Sequence, residues 1–124
     1  MTNTLIKTKP ITINSPDDRV ILVEVFGHLD EANVDKVAQE FYDVLKNSME
    51  GTSFIFDFHE VEFINSKGIG YFLDFYRKIS EHRGKMALAR LSENVLDILE
   101  VVGITKIIGV HFTLDEAKLA IVSA

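Results

Sequence analysis

The sequence predicts an α/β fold, a single domain with a mixed, mostly parallel β-sheet of about four to five strands and about four helices. A length of 124 residues fits one domain, and a hydrophobic content of 47% is enough for a substantial core. Short β-branched runs alternate with longer segments in which apolar residues recur every three or four positions. Because strands that alternate with helices pair in parallel through right-handed crossovers, we expect one layered domain over residues 1–124.

The first half of the chain predicts three strands and one helix. Residues 5–13 alternate loosely and contain Pro10, which favours an edge strand because proline cannot donate to a neighbouring strand. The run VILVEVF at 20–26 is typical of a strand buried on much of both faces. Residues 33–49 follow a helical period, and Asp30 or Asn33 could cap that helix. The run SFIFDF at 53–58 indicates another buried strand.

The second half predicts three helices separated by two short strands. A helix follows Ser66, with Ile69, Phe72, Leu73, Tyr76 and Ile79 as its apolar stripe, and Phe75 off that stripe and partly exposed. Gly84 would close this helix in the position after its C-cap. Strands are predicted at 86–91 and 106–110, a helix capped by Ser92 lies between them, and a capping box at 113–116 opens a last helix.

Composition excludes several classes of function. The chain has no cysteine, so disulfides and thiolate metal sites are excluded and a reducing compartment is expected. A net charge of −6, with no long basic run, argues against nucleic-acid binding. No apolar segment approaches the roughly 20 residues of a membrane-spanning helix. We therefore expect a cytoplasmic protein with no direct membrane insertion.

The stretch FINSKGIGYF at 63–72 interrupts an apolar run with polar residues. In parallel sheets, functional groups gather where strands lead into helix N-termini, and Gly27–Asp30 and Asn65–Gly68 are two such junctions. Ser66 occupies the expected N-cap, so its hydroxyl could simply cap the helix. It could also be a phosphorylation site, since a helix N-terminus favours an added phosphate. These two interpretations are compatible.

Catalysis and metal binding have weaker support. A hydrolase would need Ser66 as nucleophile with a histidine such as His28, but the first glycine of G-x-S-x-G is missing. The four histidines form no H-x-x-x-H pair, and no dinucleotide or Walker motif is present. We therefore predict no catalytic residue, no metal and no cofactor, and keep a small-ligand binder or hydrolase on the Ser66/His28 face as an alternative.

Three segments resemble the STAS domain, the family named for sulfate transporters and anti-sigma factor antagonists. They are VFGHLD at 25–30, FDFHEVEFINSKGIG at 56–70 and LEVVGITKII at 99–108. The middle segment is similar to the family pattern D-L-x-x-V-x-F-I-D-S-S-G-L-G, with Asn65 in place of an aspartate and Lys67 in place of a serine or threonine. The resemblance covers residues 10–122 and is strongest to free-standing bacterial anti-sigma factor antagonists.

The resemblance implies a partner-switching mechanism. The unphosphorylated protein would bind an anti-sigma factor that is also a serine kinase, phosphorylation of Ser66 would release it, and a serine phosphatase would reset the switch. The residues implied in partner binding are His28, Asp30, Asn65, Ser66, Lys67 and Gly68. Asn65 and Lys67 leave open an alternative, a non-phosphorylated STAS subunit of a stress-signalling scaffold or a lipid-transport ATPase.

Overall fold

The strands of the sheet lie side by side in the order in which they occur along the chain. The computed structural model describes residues 4–15 and 17–123, so Met1–Asn3, Pro16 and Ala124 of the predicted domain lie outside the described residues. The strands are β1 (Ile6–Ile11), β2 (Val20–Val25), β3 (Ser53–Asp57), β4 (Met86–Ala89) and β5 (Gly109–His111). The helices are α1 (Val34–Lys46), α2 (Ser66–Glu81), α3 (Glu93–Val101) and α4 (Leu114–Val122). This order confirms the predicted alternation.

The sheet is mixed in the way that the sequence predicts. β1 pairs with β2 antiparallel, from Ile6 opposite Val25 to Ile11 opposite Val20. The remaining neighbours are parallel, with Leu22 beside Ile55 as an example. β1 is an edge strand, as Pro10 indicates.

The two faces of the sheet bury different side chains because residues alternate along each strand. One face packs against α1, α2 and α3 and holds a large aromatic cluster. Its rings meet at centroid distances of 4.6 Å for Phe41 and Phe75 and 5.1 Å for Phe56 and Phe72. The other face packs against α4 and carries smaller side chains, which are Val20, Leu22, Ile55, Ala87 and Ala89.

The buried stripe of α2 is rotated from the one that the sequence predicts. Its buried residues are Gly68, Phe72, Phe75 and Ile79. Phe75 is fully buried because α1 covers that side of the helix, so its predicted partial exposure is wrong. Leu73, predicted to face the core, is 36% exposed.

The strand predicted at 106–110 is wrong over its first three residues. Gly103 has φ 84° and leads into a short 3-10 turn over Ile104–Lys106. The amide of Ile108 donates to the carbonyl of Ile104 at 2.9 Å, so this segment is turned rather than extended. The strand therefore begins at Gly109.

Gly84 is not the left-handed residue that closes α2. Arg83 takes that conformation with φ 65°, and the amide of Gly84 donates to the carbonyl of Ile79 at 2.9 Å. A Cβ on Gly84 would lie 2.0 Å from the carbonyl oxygen of Thr52. The glycine is therefore required for close packing against the chain that enters β3.

Candidate functional site

Two loops meet at the carboxyl end of the parallel strands. Leu29 and Ile64 form an isolated parallel bridge between the loop that follows β2 and the segment that precedes α2. The amide of Leu29 donates to the carbonyl of Phe63 at 2.9 Å, and the amide of Asn65 donates to the carbonyl of Leu29 at 2.9 Å. The bridge brings the junctions at 27–30 and 65–68 together at one end of the sheet.

The residue that caps α2 is Asn65, not Ser66. Asn65 has an extended backbone, with φ −94° and ψ 176°, and its Oδ1 accepts a hydrogen bond from the amide of Gly68 at 2.8 Å. Asparagine and serine cap helices about equally well, so the first suitable residue takes the position. Ser66 becomes the first residue of the helix, and its predicted capping role is wrong.

The hydroxyl of Ser66 consequently has no part in capping the helix. Ser92 and Thr113, which cap α3 and α4, accept hydrogen bonds through their hydroxyl oxygens from Val95 and Glu116. Within the described residues, the Ser66 hydroxyl makes no hydrogen bond, and the residue is exposed. An exposed hydroxyl without a partner is open to chemical modification.

Lys67 joins α2 to α1 through an ion pair. Its Nζ lies 2.7 Å from Oδ1 of Asp35, the second residue of α1. The same oxygen accepts a hydrogen bond from the hydroxyl of Tyr71 at 2.6 Å. Hydrogen bonds from Lys67 and then Tyr71 lower the pKa of Asp35, and Asp35 raises the pKa of Lys67. The sequence indicates neither Asp35 nor Tyr71, since only the fold brings the two helices together.

His28 and Asp30 hold the shape of the neighbouring loop. Nδ1 of His28 accepts the amide hydrogen of Glu62 at 3.1 Å, so that nitrogen carries no proton in this contact. Oδ1 of Asp30 accepts from the amides of Ala32 and Asn33, each at 3.1 Å. Asn33 occupies the N-cap position of α1 but its side chain accepts no capping hydrogen bond, so Asp30 supplies the side-chain acceptor in the turn before the helix. Asn33 instead donates its side-chain amide to the carbonyl of His28.

The two glycines of α2 have different surroundings. A Cβ on Gly68 would lie 2.9 Å from Cγ1 of Ile64, so Gly68 is needed where the helix passes over the preceding loop. A Cβ on Gly70 would meet no atom within 4 Å, and Gly70 is exposed. Packing against the described residues gives no reason for a glycine at position 70.

Apolar side chains flank the exposed part of α2. Phe63 is 44% exposed and lies three residues before Ser66, while Leu73 is 36% exposed on the next turns of the helix. Phe63, rather than Phe75, is therefore the exposed phenylalanine close in sequence to Ser66. Phe63, Ser66, Gly70 and Leu73 define what we call the α2 face.

An ion pair between the buried Asp57 and the partly exposed Arg90 fixes the end of β3. Asp57 is 3% exposed, and its Oδ2 lies 2.6 Å from Nη2 of Arg90. Its Oδ1 accepts from Nε of Arg90 and from the amide of His59, each at 3.0 Å. Hydrogen bonding to Asp57 raises the pKa of the Arg90 guanidinium. The pair ties β3 to β4 where the loop toward Ser66 begins.

The geometry offers little to catalysis. No hydrogen bond within residues 4–15 and 17–123 joins His28 to Ser66, and His28 is engaged with Glu62. Over the same residues no group of three acidic or histidine side chains could hold a metal ion. No described helix is long and apolar enough to cross a membrane.

Comparisons with known proteins agree with this architecture. The sequence model of the STAS domain matches residues 13–117. The anti-sigma-B factor antagonist of Listeria monocytogenes is 28% identical over 102 residues, covering 81% of this chain and 86% of that protein.

Two solved structures share the fold at low sequence identity. An anti-sigma-factor antagonist (STAS) domain protein from Planctomyces limnophilus superposes with a TM-score of 0.77 at 23% identity, covering 94% of this chain and 96% of that one. The Bacillus cell fate determinant SpoIIAA, in its phosphorylated form, superposes with a TM-score of 0.64 at 18% identity, covering 90% of this chain and 95% of that one.

Proposed function

Because the chain belongs to the STAS domain family, we propose that it is an anti-sigma factor antagonist switched by phosphorylation of Ser66. The unphosphorylated protein binds an anti-sigma factor that is also a serine kinase, and so frees a sigma factor in the cytoplasm. The kinase transfers the terminal phosphoryl group of a nucleoside triphosphate to Oγ of Ser66, which loses its proton, and a nucleoside diphosphate leaves. The complex then separates, and a serine phosphatase hydrolyses the phosphoserine.

The observation that carries this proposal is the free hydroxyl of Ser66. Asn65 caps α2, so a phosphate on Ser66 removes no hydrogen bond on which the helix depends. The phosphate would also lie at the positive end of the helix dipole, where negative charge is favourable. Phosphorylation therefore leaves the fold intact and changes only what the surface presents.

The α2 face explains how one phosphate could release a partner. Phe63 and Leu73 offer apolar contact on either side of Ser66, and the bare backbone at Gly70 permits close approach. A phosphate adds about −1.5 to −2 charges at the centre of that surface. Burying such a charge without a partner costs several kcal/mol, enough to dissociate a typical transient complex. We propose that the surrounding residues contact the partner or shape its site. These are His28 and Asp30 in the loop after β2, the cap residue Asn65, and Lys67 and Gly68 in the first turn of α2.

The test compares three forms of the protein as bait in extracts of its native cell. Wild type should retain a protein with a histidine-kinase-like ATP site, and Ser66→Asp should not. Thr113→Asp adds the same charge at the N-terminus of α4 and preserves a good cap, so it should bind like wild type. Intact mass of the endogenous protein should show one added phosphate on part of the pool.

The opposite result would redirect the assignment. If Ser66→Asp captures the same partners as wild type and the native pool carries no phosphate, the switch does not exist in this protein. A non-phosphorylated subunit of a signalling scaffold or of a lipid-transport ATPase would then be the better assignment, and the identity of the captured partner would distinguish these two.

A further inference from the structure

The ion pair of Lys67 and Asp35 stands next to the position that a phosphate on Ser66 would occupy. Lys67 directly follows Ser66, so their Cα atoms are about 3.8 Å apart. Its ammonium group, 2.7 Å from Asp35, is on a long flexible side chain that is 59% exposed. We therefore expect that a change of rotamer can carry Nζ from Asp35 to a group attached to Oγ of Ser66.

Backbone donors at the start of α2 are also available. Asn65 occupies the amide of Gly68, but the amides of Ser66 and Lys67 make no hydrogen bond to the described part of the chain. These amides belong to the first turn, whose N–H groups have no acceptor inside the helix. A phosphate at Ser66 would meet these donors together with the lysine.

We propose, on the basis of the switch proposed above, that a phosphate on Ser66 draws Lys67 away from Asp35 and thereby uncovers the Asp35 carboxylate on α1. A phosphate carries more charge than a carboxylate and offers three acceptor oxygens, so it is the stronger ligand for one ammonium group. It is also tethered one residue away, whereas Asp35 lies on a different helix. Tyr71 keeps its hydrogen bond to Asp35 after Lys67 has left.

The consequence is a change of charge on two helices from one modification. Before phosphorylation, the charges of Lys67 and Asp35 offset each other. After it, Lys67 offsets part of the phosphate on α2, and an unpaired carboxylate appears on α1. The Asp35 carboxylate then adds to Glu31, whose charge is close enough to act on Lys67. Through Lys67 and Asp35, phosphorylation of Ser66 thus changes the surface charge of both helices.

The experiment installs phosphoserine at position 66 during translation, so it requires no kinase. Wild type and Lys67→Ala are each prepared with serine and with phosphoserine. Carboxyl ¹³C spectra give the pKa of Asp35, and ³¹P spectra give the second pKa of the phosphate. Lys118→Ala, on α4 across the sheet, is the control for removal of a lysine.

The proposal predicts two differences between these proteins. Phosphorylation should raise the pKa of Asp35 in both wild type and Lys67→Ala, because a negative charge is added. The rise should be larger in wild type by roughly half a unit, because there Lys67 also leaves Asp35. The second pKa of the phosphate should be lower in wild type than in Lys67→Ala by a similar amount, and Lys118→Ala should match wild type.

An equal rise of the Asp35 pKa in both backgrounds would overturn the proposal, because Lys67 would then have stayed on α1. So would a phosphate pKa that does not change when Lys67 is removed. Neither result depends on a kinase or a partner, so failure here leaves the Ser66 switch to be judged by its own binding experiment. Equally, loss of the switch would not alter the NMR outcome.

Discussion

Substituting alanine at the two glycines of α2 should change stability in opposite directions. Gly68 and Gly70 are two residues apart in one helix, so alanine should gain helix propensity at both positions, with Gly68 in the first turn and Gly70 just beyond it. Their surroundings differ, since an added methyl group at 68 would meet Cγ1 of Ile64 at 2.9 Å and one at 70 would meet nothing within 4 Å. The pair therefore separates helix propensity from packing.

The expected magnitudes follow from these two terms. Replacing glycine by alanine inside an exposed helix gains about 1 kcal/mol. Gly70→Ala should realise that gain and raise the melting temperature by about 4 °C in a domain of this size. At position 68, overpacking against a fully buried Ile64 costs about 1–3 kcal/mol, which offsets the gain and leaves a net loss of up to about 2 kcal/mol.

Urea denaturation of the two variants and wild type measures both effects. The midpoint should rise for Gly70→Ala and fall for Gly68→Ala, with the slope unchanged. A less stable Gly70→Ala, or a more stable Gly68→Ala, would refute this explanation of the two glycines. The same variants test the α2 face, because Gly70→Ala should weaken capture of the partner although the protein itself is more stable. If Gly70→Ala captures the partner as well as wild type does, close approach of a partner is not the reason for a glycine at position 70.

Five further substitutions test contacts within the site and between the helices. Asn65→Ala should lower the free energy of unfolding by about 1 kcal/mol through loss of the cap, whereas Ser66→Ala should leave it nearly unchanged; equal losses would return the capping role to the serine. Arg90→Met should lower the free energy of unfolding by about 3 kcal/mol, because it leaves the buried carboxylate of Asp57 without its ion-pair partner. Arg77→Met, which removes only exposed ion pairs, should cost less than about 1 kcal/mol, and equal urea midpoints for the two would contradict this. The hydroxyl of Tyr42 on α1 donates a hydrogen bond to the carboxylate of Asp74 on α2, and this bond is the largest cause of the lowered pKa of Asp74. Tyr42→Phe removes it. This bond favours the ionised carboxylate, so its contribution to stability is present above the usual aspartate pKa of about 4 and is lost as pH falls through the lowered pKa. The deficit of Tyr42→Phe should therefore be present at pH 7 and shrink as pH falls below about 4. A deficit that stays constant over this range would contradict the assignment.

The order of strands and helices was predictable because it depends on local patterns. Runs such as VILVEVF have the continuous apolar character of strands buried on two faces, and the structure confirms them. The strand prediction was wrong at 106–108 because β-branched residues also fit a tight turn when a left-handed residue, here Gly103, precedes the turn. The prediction of which side of α2 is buried was wrong at Phe75, because the direction from which α1 packs decides which side of the helix is buried.

The location of the candidate site could be predicted from the sequence better than the role of each residue in it. Parallel pairing puts the loops at 27–30 and 65–68 at one end of the sheet, and the bridge of Leu29 and Ile64 shows this. Which of two adjacent residues caps a helix depends on backbone angles that the sequence leaves open between Asn65 and Ser66. The partner of Lys67 could not be predicted, because Asp35 is brought to it only when two helices pack on the sheet.

The position of α4 has a consequence for synthesis of the chain. The strands β1 to β5 can pair in the order in which they leave the ribosome, because each lies beside its neighbour in sequence. The face that buries Val20, Leu22 and Ile55 is nevertheless covered by Ala117 and Ile121, which come near the end of the described chain. That apolar face stays open to water through most of translation. A chain truncated before residue 114 would expose the apolar face of β2, β3 and β4 to chaperones and to other unfinished chains.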